Sequence, residues 1–379
     1  MSALGCSTAL SSTGVRVVIA PDKFAGTLTA VEAAAAMAAG WSRRAPADAL
    51  TLVPMSDGGP GFVDVLHSAL GGELQMVTVT GPYGDPTPST ILVVGEVAYV
   101  ESAQAVGLHL TAPDQRRPEG ATSVGVGEAI RAAVDGGARR IVVGLGGSGT
   151  NDGGAGMLAA LGATQTGGDL SSGPAGLATV ASIDLAPARD ALAGIDLVLA
   201  TDVENPLLGI VGATKTFGPQ KGLAEERMIV VDGWLQHFAT LADRKLADAK
   251  GAGAAGGLGY ALLLLGGVRM PGVDVVADAI GLRSALTPAD LVITGEGEFD
   301  VTSRAGKVPY GVAALAADTM IPCIVLAGRV SIGAREMRAI GVESAYALVD
   351  LVGERRALGE PAAALADLAE RIARTWSRE

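Results

Sequence analysis

At both ends of the chain, short β-branched runs stop abruptly at loops bearing Gly or Asp, and Ala-rich helical stretches lie between them. Residues 15–20 close on Pro21-Asp22-Lys23, and residues 50–54 run into Met55-Ser56-Asp57-Gly58-Gly59. Residues 290–294 close on Gly295-Glu296-Gly297, and residues 322–327 on Gly328-Arg329. Residues 28–44 read as a helix, with Thr29 and Glu32 spaced as a capping box. Residues 62–70, 308–319 and 361–375 read as further helices, and 344–349 as a further strand. Strands alternating with helices argue an α/β fold with a parallel sheet, whose ligands bind outside the carboxyl ends of the strands. Four polar strand ends in two distant segments predict one sheet built from both chain ends.

The middle of the chain follows a different pattern. Residues 77–80 lead into the turn cluster Gly81-Pro82-Tyr83-Gly84, and residues 90–94 and 97–100 flank Gly95-Glu96 as a hairpin would. Antiparallel strands inside an α/β chain predict an inserted second domain. The expected division is 15–80 plus 286–379 for one domain and 81–285 for the other, with 1–14 a flexible tail. A cleft between two domains is the default site.

The strongest local signal is residues 140–154, RIVVGLGGSGTNDGG. A strand runs into a loop in which almost every residue is Gly, hydroxyl or amide. Such a loop turns successive backbone N–H groups toward one place and forms a nest for anions. Gly146, Gly147, Ser148, Gly149, Thr150 and Asn151 are the candidate phosphate binders, with Asp152 beside them. A close-packed glycine turn that binds nothing is the alternative. Gly144, Gly146 and Gly149 also match a dinucleotide fingerprint, with Asp169 twenty residues past Gly149. However, Thr-Asn-Asp-Gly-Gly after Gly149 is a poor first helical turn, and Asp169 follows Thr-Gly-Gly instead of a strand. The Walker A pattern is absent.

Charge and composition exclude several classes. With 28 Lys and Arg against 40 Asp and Glu, the net charge of −12 disfavours nucleic acid. Aromatics at 3% leave little for base stacking. Two cysteines, Cys6 and Cys323, and three scattered histidines make no zinc spacing. The first fourteen residues lack a basic start and an apolar run, so they read as a tail and not a signal peptide. Residues 251–268 carry no charge but are more than half Gly and Ala. They read as a helix buried between layers and not as a membrane span, which needs about 20 predominantly apolar residues. The expectation is a cytoplasmic protein that binds a small molecule, without membrane or nucleic acid; a homodimer stays open.

Three further constellations follow strands or turns. Thr201-Asp202-Val203-Glu204-Asn205-Pro206 puts an acid and an amide at a strand end, suited to metal or hydroxyl chemistry, with an Asx-turn as the alternative. Phe217-Gly218-Pro219-Gln220-Lys221-Gly222 puts a lysine in a tight turn, where it either meets an anion or is solvated. Gly295-Glu296-Gly297-Glu298-Phe299-Asp300 clusters three carboxylates, which suit Mg²⁺ with a nucleotide or form a solvated acidic turn.

These stretches resemble the bacterial glycerate kinases, a two-domain family distinct from the P-loop and sugar-kinase folds. The resemblance is carried, in order, by residues 20–34 (APDKFAGTLTAVEAA), 54–62 (PMSDGGPGF), 144–158 (GLGGSGTNDGGAGML) and 200–214 (ATDVENPLLGIVGAT). It continues through 217–222 (FGPQKG), 251–259 (GAGAAGGLG) and 290–313. It implies a Rossmann-like parallel-sheet domain formed by both chain ends with an inserted mixed α/β domain. It also implies ATP-dependent phosphorylation of D-glycerate to 2-phosphoglycerate, with 3-phosphoglycerate as the other regiochemical outcome. Ala25 stands where the family usually has Lys, Pro60 where it has Glu, and Glu298 where Arg is common.

On this resemblance the glycine loop takes the phosphates of ATP. Lys221 or Lys23 offsets charge on the transferring phosphoryl group. Asp202 is the expected base, with Asp152 second. Mg²⁺ is assigned to Glu296 or Asp300. Asp22, Lys23, Ser56, Asp57 and Arg304 are assigned to the substrate, with Lys23 and Arg304 as candidates for its carboxylate. Two other classes stay open: a weakened kinase relative that binds nucleotide or a small acid, favoured by Ala25 and Pro60, and a nicotinamide-dependent oxidoreductase, favoured only by the glycine count.

Overall fold

The structure is a computed structural model that describes residues 14–24, 26–300 and 307–378. Its two main sheets use β1 Arg16–Ile19, β2 Ala49–Leu52, β3 Glu73–Thr80, β4 Pro86–Val94, β5 Val97–Glu101 and β6 Arg140–Gly144. They continue with β7 Asp196–Ala200, β8 Val268–Met270, β9 Leu291–Thr294, β10 Cys323–Ala327 and β11 Val342–Ala347. Two compact units result. Of the described residues, one takes those up to Met55 and those from Gly281 onward except Lys307, and the other takes Ser56–Ile280 with Lys307.

The first unit holds a five-stranded parallel sheet in the order β11-β10-β9-β1-β2. Val17 lies opposite Leu291 on one side and Leu50 on the other, so both chain ends share one sheet as expected. β9 and β10 are buried along their whole length, which is why they read as unbroken apolar runs. The helix Ala30–Arg44 starts on the expected capping box, with Thr29 and Glu32 each bonding back to the other's backbone. It crosses the helix Pro361–Trp376 at Gly40, where a Cβ would lie 1.9 Å from the Ala366 carbonyl oxygen.

The second unit holds a six-stranded mixed sheet in the order β8-β7-β6-β5-β4-β3. β5 to β8 run parallel, so their carboxyl ends share one edge. β4 pairs antiparallel with β5 across the Gly95 turn, as the hairpin reading expects. β4 also pairs antiparallel with the full length of β3, which ties residues 73–80 to this unit. Its core gathers Val143, Leu145, Leu158, Leu199, Phe238, Leu258 and Tyr260, all nearly inaccessible. Each such side chain is worth about 1.5–3 kcal/mol when fully buried.

Residues 251–268 differ from the single helix expected. Only Leu258–Leu264 is α-helical, because Gly251, Gly256 and Gly257 hold the preceding loop at positive φ. Among the described residues, no helix is long and apolar enough to cross a membrane.

Candidate active site

In the second unit, four strand ends and the loops after them converge on the glycine loop. β6 stops at Gly144, where the Ser102 hydroxyl donates to its carbonyl at 2.8 Å. The Leu145 amide then donates to Ala200 O (3.0 Å) and the Gly149 amide to Val106 O (2.7 Å), while Leu108 N donates to Gly147 O (2.8 Å). No acceptor among the described residues takes the amide hydrogens of Gly146, Gly147 and Ser148. Three successive donors are thus without an acceptor among the described residues, and the Gly149 amide is already used. Gly147 has φ +62°, and a Cβ there would come within 2.8 Å of Pro60 Cγ. Pro60 therefore packs directly on this loop.

Lys221 lies beneath the loop. The short turn Pro219–Lys221 buries its side chain, and its Nζ donates to Thr150 O at 2.5 Å and Ser148 Oγ at 3.2 Å. Burial pulls the ammonium down to about 7, and the charge of Asp152 opposes that fall. Of the two readings the sequence allows, the solvated loop lysine does not hold. Asn151 donates from Nδ2 to Thr214 Oγ1 at 3.0 Å. Its Oδ1 and the neighbouring Thr150 Oγ1 are buried with no partner among the described residues.

Asp152 is fully buried and accepts four hydrogen bonds. They come from Ser123 N (2.9 Å), Ser123 Oγ (2.7 Å), Gly154 N (3.0 Å) and Gly156 N (3.2 Å). Burial raises its pKa and these donors lower it. Its carboxylate holds the turn into the helix Ala155–Leu161.

Asp202 is placed differently. β7 ends at Ala200, Thr201 N donates to Met270 O at 3.0 Å, and the Asp202 carboxylate meets the start of the helix Gly272–Ile280. Val273 N donates to Asp202 Oδ2 at 3.3 Å. Burial and then the charge of Asp57 push this carboxyl up to about 7, against the pull of the Val273 amide and Arg269. Asp57 belongs to the loop after residue 55, where its Oδ1 accepts from Gly59 N (2.9 Å) and Ser56 Oγ accepts from Gly58 N (3.2 Å). A Cβ on Gly272 would lie 1.9 Å from Asp57 O and 3.1 Å from Asp202 Oδ2. The three residues thus meet at one point.

Sequence reasoning missed Glu101 and Arg269. Glu101 ends β5, is buried, and accepts from Gly61 N and Val63 N at 3.2 Å each, which fixes the loop carrying Asp57 and Pro60. Its only signal was an acid closing a strand. Arg269 sits inside β8, which is too short to read as a strand from sequence.

Other expected site residues lie in the first unit. Asp22 is buried after β1, accepts from Lys23 N at 2.7 Å, and faces Lys23 Nζ at 3.6 Å. Glu296 is buried just past β9, and Asp300 follows it by four residues. Arg304 and Ala25 lie outside the described residues. Among the described residues no three His, Cys, Asp or Glu side chains gather to hold a metal ion. Hard carboxylate oxygens after a strand still fit a magnesium ion that takes most of its shell from phosphates and water. Asp169 follows the strand Thr164–Thr166, which pairs antiparallel in a separate small sheet, and it accepts from Ser171 N. That is not where a ribose-binding acid of a dinucleotide fold sits.

A family model described as the glycerate kinase family matches residues 17–377. The chain is 41% identical over 345 residues to a glycerate kinase of Bacillus subtilis (strain 168), covering 88% of this chain and 90% of that protein. It is 38% identical over 349 residues to a glycerate 2-kinase of Escherichia coli (strain K12), covering 89% and 92%. A crystal structure of a Salmonella typhimurium LT2 protein described as a glycerate kinase 2 superposes with a TM-score of 0.80 at 38% identity, covering 96% of this chain and 98% of that one.

Proposed function

The chain belongs to the glycerate kinase family, and we propose that it transfers the γ-phosphoryl group of ATP to D-glycerate, yielding 2-phosphoglycerate and ADP. One observation carries the proposal. Asp202 is a half-buried carboxylate at a strand end, held near neutrality by burial and Asp57. A base whose pKa lies near the working pH is suited to taking a hydroxyl proton.

Phosphoryl transfer depends on positioning and charge neutralisation more than on covalent chemistry. The free amides of Gly146, Gly147 and Ser148 receive the nucleotide phosphates, with Thr150 and Asn151 beside them. Lys221 holds the loop from below and supplies positive charge as the phosphates arrive. The acceptor hydroxyl lies between Asp202 and the phosphoryl group, with Ser56 and Asp57 alongside it. Its oxygen bonds to the γ-phosphorus as the bond to the β–γ bridging oxygen breaks, and its proton passes to Asp202. Asp152 positions the loop and is not the base. A magnesium ion bound with the nucleotide would neutralise the charge of its phosphates, and the carboxylates of Glu296 and Asp300 suit such an ion. ATP supply makes the cytoplasm the compartment we propose.

The test is ADP release, measured by a coupled assay, with ATP and a panel of 2- and 3-hydroxy acids. D-Glycerate is expected to be the best acceptor. Release with another hydroxy acid and not glycerate moves the substrate, and release with none leaves a binding protein.

A further inference from the structure

We propose that Arg269 receives the carboxylate of the acceptor acid beside Asp202. This deepens the reading above and rests on it. Arg269 lies on β8, opposite Leu199 of the parallel β7, and Met270 lies opposite Ala200. The guanidinium is therefore carried by the strand next to the one that delivers Asp202, near the same edge of the sheet.

Its hydrogen-bonding capacity is unspent. Nε is buried and has no partner among the described residues. The terminal nitrogen reaches Glu204 Oε1 only at 3.8 Å, while Lys250 Nζ holds the other Glu204 oxygen at 2.8 Å. A buried donor left without an acceptor is costly, so one that persists needs an explanation such as a ligand. The stem is also held in place. Gly251 lies against it with φ +85°, and a Cβ there would fall 2.7 Å from Arg269 Cδ and 3.1 Å from Nε. Any side chain at 251 would push the guanidinium away, whereas glycine leaves it a fixed cradle.

The local charge balance calls for a cation. The charges of Asp57 and Asp274 disfavour the ionised form of Asp202, and the charge of Arg269 favours it. A second anion, the substrate carboxylate, is admitted only where positive charge meets it. A planar guanidinium offers two parallel donors that match a carboxylate. Of the cations assigned to this group from sequence, Lys23 already faces Asp22. With the acid end held on Arg269, one hydroxyl is presented to Asp202, so the same contact sets the demand for an acid and the choice of hydroxyl.

The experiment compares wild type, Arg269→Lys and Arg269→Ala. It measures steady-state kinetics, calorimetric binding of D-glycerate beside a non-hydrolysable ATP analogue, and thermal melting as a fold control. In Arg269→Ala the KM for glycerate is expected to rise on the order of 10- to 100-fold, the scale of one hydrogen bond to a charged group. The KM for ATP should stay within about twofold. Preference for glycerate over uncharged glyceramide should collapse, and added guanidinium should restore part of the loss. Arg269→Lys should fall between the two. Unchanged glycerate affinity in a folded Arg269→Ala protein overturns the assignment while leaving the kinase reading intact. If wild type binds glycerate without turning it over, loss of binding in Arg269→Ala still supports the site. If wild type binds no hydroxy acid at all, both readings fall.

Discussion

Lys221 Nζ donates to the main-chain oxygen of Thr150 at 2.5 Å, so a buried ammonium holds the glycine loop from below. Gly256 meets the same carbonyl from another direction: with φ +71°, a Cβ on it would lie 1.9 Å from Thr150 O. Gly153 N donates to Gly256 O at 3.0 Å. The turn at 217–222 and the glycine run at 251–259 thus serve one purpose, to fix the loop at 144–154 with its upper amides free.

Removing that support is expected to act on the nucleotide. Lys221→Met should raise the KM for ATP by about tenfold or more, since hydrogen bonds to a charged group contribute about 1.5–3 kcal/mol. The free lysine lies near 7. Bound phosphates favour its charged form, so ATP binding at pH 8 should take up as much as about one proton. Calorimetry in buffers of different ionisation enthalpy will detect that uptake in wild type, and Lys221→Met should lack it.

Asp202→Asn is expected to lower kcat by about 10²–10⁴-fold with little change in ATP affinity. The wild-type acidic limb should lie near pH 7, because the base must be ionised and its pKa is raised to about 7. Pre-steady-state and steady-state rates across pH 5.5–9 (roughly the range in which the base changes its charge) will show whether the variant loses that limb.

The same substitution should stabilise the fold. A carboxyl whose pKa is raised from 3.8 to about 7 binds more protons folded than unfolded between those values. Wild-type stability from this group is therefore present at low pH and lost as pH rises to about 7. Asp202→Asn escapes that loss. It should exceed wild type by about 1–3 kcal/mol at pH 8, with the gap closing toward pH 4. Urea unfolding at the two pH values checks the sign.

Gly272→Ala is expected to disturb the site more than the fold. Its Cβ would meet Asp57 O at 1.9 Å, so the loop at 56–61 must move away from Asp202. A fall of about tenfold or more in kcat/KM follows from misplacing the acceptor. Gly233→Ala is the control. Its Cβ meets nothing within 4 Å, and it lies inside the helix Glu225–Ala242, where Ala is favoured over Gly by about 0.8–1.0 kcal/mol.

Local patterns were legible where one element decided the outcome. The helix Phe62–Leu70, the strand Asp196–Ala200 and the Thr29–Glu32 capping box follow from spacing alone. Asp152 illustrates what spacing cannot reveal. Its polar neighbours in sequence made it a candidate base, but Ser123, twenty-nine residues away, supplies two of its four donors. Arg269 was missed for the reverse reason. It lies in a three-residue strand next to an apolar stretch, and only pairing with β7 brings it opposite Leu199, three residues before Asp202. The glycines at 251–257 resembled a helix by composition, yet several adopt a φ that only glycine takes readily.

Phosphoryl transfer to glycerate with Asp202 as the base is open to ³¹P NMR of a reaction containing the protein, ATP, Mg²⁺ and D-glycerate. Loss of ATP with matching growth of ADP and 2-phosphoglycerate is expected, at a rate cut by about 10²-fold or more in Asp202→Asn. ADP formation that is equal in wild type and Asp202→Asn, or no phosphoglycerate from a folded protein that binds ATP, would contradict it.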